Sequence, residues 1–189
     1  MILVVADTGP VNYLVLIGAI ELLASLAEKT VLPAAVRAEL LAERAPAAVR
    51  AWATTLPAWA EVRTATRPIE ADDISVADRE AIALARELGA SVLLMDDRQA
   101  RRWAAKLGVS TIGTVGFLEA AAARELVSPP RCVGKIARHL VFSKRRSRRA
   151  CAPPRLRTPA DHRKRRSGSL AFMSDIFTPA KRSAMMAAV

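Results

Sequence analysis

Four carboxylates stand where a fold could gather them: Asp7, Glu39, Asp78 and Asp96. Asp7 closes the apolar run Ile2-Leu3-Val4-Val5-Ala6, and Asp96 closes a second run, residues 91–95. Glu39 borders an apolar helix face with Ala35, Val36 and Leu40, and Asp78 opens the helix leading into the Asp96 run. Residues 1–128 contain no His and no Cys; His139, His162, Cys132 and Cys151 all come later. That excludes a Ser-His-Asp triad, a Cys-His pair and a typical zinc site from this part of the chain. Carboxylate, hydroxyl and cation chemistry remain. Clustered carboxylates repel one another unless a cation sits between them. Hard oxygen donors suit Mg²⁺ or Mn²⁺, and such ions serve phosphodiester cleavage by activating water and stabilising the charge that builds up.

Each acid also has a structural reading. Asp7 can start an Asx-turn or cap the next helix. Glu39 can be a solvated helix residue. Asp78 can be first-turn charge, with Ser75 as the cap three residues earlier. Asp96-Asp97 can cap the helix that follows. Two acids at strand ends, with no other catalytic chemistry available, favour a site. Asp97 either assists it or only caps. Arg98, Arg101 and Arg102 follow directly and could meet substrate phosphates or form a solvated face. Trp52, Trp59 and Trp103 suit packing better than base stacking. Phosphate-binding motifs of the G-x-x-x-x-G-K-[ST] and G-x-G-x-x-G types are absent. A receiver domain would need an acid pair near Asp7 and a late Lys where Gly113-Thr114 stands.

The elements that must position these groups follow from apolar runs and breakers. Residues 2–6 suit a strand buried on both faces. Thr8-Gly9-Pro10 reads as a turn, and residues 11–26 as one or two apolar helices broken near Gly18. Short strands are expected at 30–32, 59–65, 91–95 and 109–112. Helices are expected at 33–45, 47–54, 75–88, 98–107 and 114–126, with Gly89 and Gly108 as stops. Residues 67–73 read as a loop. The alternation predicts an α/β fold with a mostly parallel sheet, and ligands bind such sheets outside the carboxyl ends of the strands.

The charge of +11 divides unevenly. Residues 1–128 hold 13 Lys/Arg against 16 Asp/Glu, a net of −3, whereas 129–189 hold 16 against 2, a net of +14. The chain therefore reads as a domain over 1–128 and a basic Arg/Pro-rich tail over 129–189, expected to be disordered and to attract any polyanion. The uncharged run at 8–20 is too short to span a bilayer, which needs about 20 residues. Two cysteines without a framework indicate a reducing compartment. The expectation is a soluble cytoplasmic protein that does not engage a membrane.

The stretches VVADTGPVNYLVLIG at 4–18, VLPAAVRAEL at 31–40, ADREAIALARELGA at 77–90, LLMDDRQAR at 93–101 and STIGTVGFL at 110–118 resemble PIN-domain proteins. More narrowly, they resemble the branch similar to VapC-type toxins. That resemblance implies a three-layer α/β/α fold and a Mg²⁺- or Mn²⁺-dependent ribonuclease. Asp7, Glu39, Asp78 and Asp96 would be its acids, with Thr8 as the adjacent hydroxyl. It also implies a small antitoxin partner and a homodimer. Ala77-Asp78 replaces a usual Gly-Glu step, keeping the charge and shortening the reach by one methylene. The tail departs from the family, which a frame shift near Pro129 would explain. The last 17 residues, MSDIFTPAKRSAMMAAV, resemble the opening of a very-short-patch repair endonuclease, as read-through would produce. The rival expectation is a non-catalytic nucleic-acid-binding protein with a degenerate PIN fold and a basic tail.

Overall fold

The computed structural model describes residues 2–126. The tail readings, with the frame shift and the terminal resemblance, lie outside these residues. Strands β1 (Leu3–Ala6), β2 (Lys29–Pro33), β3 (Ala60–Arg63), β4 (Val92–Leu94) and β5 (Thr111–Ile112) form one sheet in the order β3-β2-β1-β4-β5. Every pairing is parallel. The helices are α1 (Thr8–Leu16), α2 (Leu22–Leu26), α3 (Ala34–Leu41), α4 (Ala47–Thr54), α5 (Val76–Glu87), α6 (Arg98–Lys106) and α7 (Thr114–Ala122).

The short apolar runs become strands because both faces of the sheet are covered. Val4, Ala6, Leu32, Val92 and Leu94 point into one core with residues of α1, α2, α3, α4 and α7. Leu3, Val5, Val31, Leu93 and Met95 point into a second core with α5 and α6. The period-two alternation thus divides one hydrophobic run between two cores. The result is the expected three-layer α/β/α arrangement.

Glycine ends three helices in the same way. Gly18, Gly89 and Gly108 have φ of +69°, +58° and +74°. Around each, two amides bond back to the last turn, as with Ala90 to Ala85 and Gly89 to Arg86 after α5. This Schellman closure needs the left-handed conformation that glycine adopts freely. It also shortens β5, because the Val109 amide is taken by the Ala104 carbonyl.

Several boundaries differ from expectation, as where α7 ends at Ala122 and not at 126. The Thr8-Gly9-Pro10 turn is instead the first turn of α1. Pro10 fits there because first-turn amides have no intrahelical partner to lose. Helix α3 ends at Leu41, where Ala42 turns extended (φ −58°, ψ 148°).

The strand order places a topological switch between β1 and β4. The helix after β1 packs on one face and the helix after β4 on the other. Their neighbouring carboxyl ends open the crevice in which such sheets bind ligands.

Candidate functional site

Asp7 and Asp96 lie beside this switch point. The Asp7 amide donates to the Leu94 carbonyl at 3.0 Å, continuing the β1–β4 ladder one step. Asp7 is 6% exposed. It occupies the N-cap position of α1 without making a capping hydrogen bond. One reason is local: Pro10 at the third helical position has no N–H to be capped. Burial pushes the Asp7 carboxyl up to about 7 from 3.8, and the charges of Asp78 and then Glu39 push the same way, against the amides of Thr8 and Gly9. Asp7 therefore feels two of the other three expected acids.

Each of the other acids is held by a neutral donor. The Thr8 hydroxyl donates to Glu39 Oε2 at 2.7 Å, joining α1 to α3. Asp78 closes a capping box at the start of α5. Its amide donates to Ser75 Oγ at 3.0 Å, and the Ser75 amide donates to Asp78 Oδ2 at 3.1 Å. The Ser75 cap read from spacing is thus present, and it coexists with Asp78's influence on Asp7. Asp96 is clamped by one residue on α7: the Thr114 amide donates to Oδ1 at 2.8 Å and the Thr114 hydroxyl to Oδ2 at 2.6 Å. Gly9 lies against Asp96, where an added Cβ would stand 3.9 Å from Asp96 Cβ and Oδ2. Asp97 caps α6, its Oδ1 accepting from the Gln99 and Ala100 amides at 2.8 Å each.

Of the arginines, Arg101 reaches the site. Its Nε donates to Thr111 Oγ1 at 3.3 Å, and Nη1 lies beside Gly113 next to Asp96. Arg98 and Arg102 are exposed on α6. The tryptophans pack: Trp52 and Trp59 meet at 6.2 Å between ring centroids against one core. Trp103 leans on the other, donating to Asp73 Oδ1 at 2.7 Å.

Among the described residues, no Lys or Arg forms an ion pair with Asp7, Glu39, Asp78 or Asp96. Nor do three His, Cys, Asp or Glu side chains converge closely enough, as they stand, to hold an ion. The donor chemistry nonetheless fits a hard divalent cation. All the donors are carboxylate oxygens, and the most buried carboxylate has two like charges beside it and no cation.

Sequence reading missed two participants. Thr114 stands in the STIGTVGFL stretch and at the start of an expected helix, but no local spacing points to its clamp on Asp96, which spans 18 positions. Glu80 accepts from the Ala35 amide at 2.6 Å and the Ala65 amide at 3.4 Å, fixing the start of α3. A polar residue opening an Ala-rich helix was the one available signal for Thr114. Glu80 had none.

Among the described residues, no helix is long and apolar enough to cross a membrane. A family model described as DUF3368, PIN domain, matches residues 3–150, a span that runs past the composition change at residue 128. Among solved structures, the chain is similar to a PilT N-terminus domain protein from the hyperthermophilic archaeon Sulfolobus solfataricus P2. The two share 20% identity at a TM-score of 0.48, over 64% of this chain and 93% of that one. A search of curated proteins found no match.

Proposed function

The chain belongs to the DUF3368 family of PIN domains, and from that premise we propose that it is a divalent-metal-dependent endoribonuclease acting as the toxin of a toxin–antitoxin pair. PIN domains are in general nucleases. The observation that carries the reading to this site is Asp7: a buried carboxylate at the β1–β4 switch point, pressed by Asp78 and Glu39 and balanced by no cation.

Asp7, Glu39, Asp78 and Asp96 are the residues that would hold Mg²⁺ or Mn²⁺. Bound there, the ion supplies Lewis acidity and an activated water. The protein's own groups do the rest. Asp7 must give up its proton to become a donor, and a cation favours that. Thr8 holds one oxygen of Glu39 and leaves the other free. To hold an ion, Asp78 and Glu39 would share or give up the hydrogen bonds they make here. Arg101 stands beside Asp96, where it can take a phosphate oxygen, and Arg98 and Arg102 extend that positive edge along α6. Asp97 stays with α6, fixing the direction of the helix that carries these arginines. The antitoxin partner and the homodimer belong to the same proposal and rest on the motif resemblance.

The test is cleavage of RNA by the purified full chain with Mn²⁺, with EDTA, and as Asp7→Asn. The reading expects cleavage with Mn²⁺ alone, and loss of at least about 100-fold in Asp7→Asn, the scale of removing a preorganised electrostatic group. Undiminished cleavage by the variant, or cleavage in EDTA, overturns it.

A further inference from the structure

Asp96 is held more tightly than its exposure requires. We infer that Thr114 is the positioning residue that fixes the plane of the Asp96 carboxylate for metal binding, and that Gly113 lacks a side chain to leave that carboxylate its place. The inference rests on the metal-dependent reading above.

The argument begins with the torsion of a carboxylate. Its last bond joins sp³ to sp² carbon, so the preference about it is broad, and one hydrogen bond holds one oxygen while the other swings. Thr114 holds both oxygens, through the amide on Oδ1 at 2.8 Å and the hydroxyl on Oδ2 at 2.6 Å. Two donors from one residue fix the plane. A carboxylate has about four lone-pair sites, so about two remain for a ligand. Thr114 is itself 3% exposed, so its hydroxyl has a fixed frame from which to aim.

Gly113 supports the same conclusion by a different route. Its φ of −88° and ψ of 166° suit any residue, so glycine is not needed for backbone freedom. What it provides is space: a Cβ there would stand 3.0 Å from Asp96 Oδ1 and 3.6 Å from Arg101 Nη1, so the carboxylate would have to give way by a few tenths of an ångström. Asp96, Gly113 and Arg101 thus occupy one crowded corner, and the Gly-Thr pair sets where the carboxylate lies in it. Outer groups that orient a metal's ligands are typically worth about 10–100-fold in metal affinity or activity.

The experiment titrates Mn²⁺ into the purified full chain and follows free Mn²⁺ by electron paramagnetic resonance, with unfolding midpoints recorded alongside. Thr114→Val keeps the amide bond and removes the hydroxyl; it should weaken Mn²⁺ binding about 10–100-fold. Thr114→Ser should bind like the wild type. Gly113→Ala, compatible with its backbone, should weaken binding in the same direction and carries the test should Thr114→Val not fold. In an Asp96→Asn background, Thr114→Val should cause no further loss. A lowered unfolding midpoint with unchanged Mn²⁺ affinity in Thr114→Val would make Thr114 a support of α7 and overturn the inference alone. So would a serine variant as weak as the valine one. A wild-type chain that binds no Mn²⁺ overturns this inference and the metal-dependent reading together.

Discussion

Replacing Asp7 with Asn should make the metal-free protein more stable, increasingly so as pH rises. Asp7 is 6% exposed, and its carboxyl is pushed up to about 7 from 3.8, chiefly by burial and then by Asp78. The unfolded chain therefore releases this proton near pH 4, while the folded chain keeps it until near pH 7. Between those values the folded state binds more protons, so its stability falls as pH rises. The contribution is complete below the unfolded value and lost through the folded one. About three pKa units at 1.36 kcal/mol each make the loss about 4 kcal/mol. Asn stays neutral throughout and escapes it. In EDTA, the stability advantage of Asp7→Asn should therefore grow by about 4 kcal/mol from about pH 4 to about pH 8. Urea unfolding followed by circular dichroism measures it directly. Saturating Mn²⁺ at the upper pH should narrow the gap, because an ion bound only by the folded wild type stabilises it by mass action. An advantage that stays constant with pH to within about 1 kcal/mol would refute the reasoning, since a buried, like-charge-pressed carboxylate has to show this linkage.

Three further outcomes follow from single contacts. Ser75→Ala removes the capping box of α5 and should cost about 1 kcal/mol in thermal unfolding. Glu80→Ala leaves the Ala35 amide without its 2.6 Å acceptor. It should cost about 1–3 kcal/mol in urea unfolding and loosen the helix that carries Glu39. Arg98→Ala and Arg102→Ala should each lower the salt dependence of RNA binding by about one unit of slope, measured by filter binding across a KCl series.

Much of the fold was legible because its strands are short apolar runs closed by a charged or turn residue. Ala6-Asp7 and Met95-Asp96 mark both the strands and their ends. Gly89 and Gly108 stop helices where expected, and the Ser75-x-x-Asp78 spacing gave a capping box that is present. What could not be read were contacts between residues distant in sequence. Thr8 meets Glu39 across 31 positions, Ala35 meets Glu80 across 45, and Asp96 meets Thr114 across 18. Those meetings depend on the order β3-β2-β1-β4-β5, and no local spacing encodes which strand lies beside which. The expectation that Asp7 and Asp96 end neighbouring strands agrees with the β1–β4 pairing. The expectation that all the acids converge is met less fully: Asp78 and Glu39 act on Asp7 through charge, while each keeps a hydrogen bond of its own.

The identity of those hydrogen-bond donors carries an argument. Glu39 is held by a threonine hydroxyl, Asp78 by a serine amide, and Asp96 by a threonine amide and hydroxyl. Arginines are available close by: Arg101 stands beside Asp96, and Arg79 follows Asp78 directly. Yet Arg79 pairs instead with exposed Asp72, at 3.9 Å. A salt bridge would orient a carboxylate and cancel its charge together. A neutral donor orients it and leaves the charge in place. A site meant only to knit helices would gain by cancelling that charge, since the surviving repulsion falls on buried Asp7. Acids oriented but not neutralised, around a carboxylate that burial has already penalised, are what a divalent cation requires of its ligands. Burial, with the repulsion of Asp78 and Glu39 added to it, costs the metal-free protein about 4 kcal/mol at neutral to alkaline pH, and a bound cation would relieve that cost.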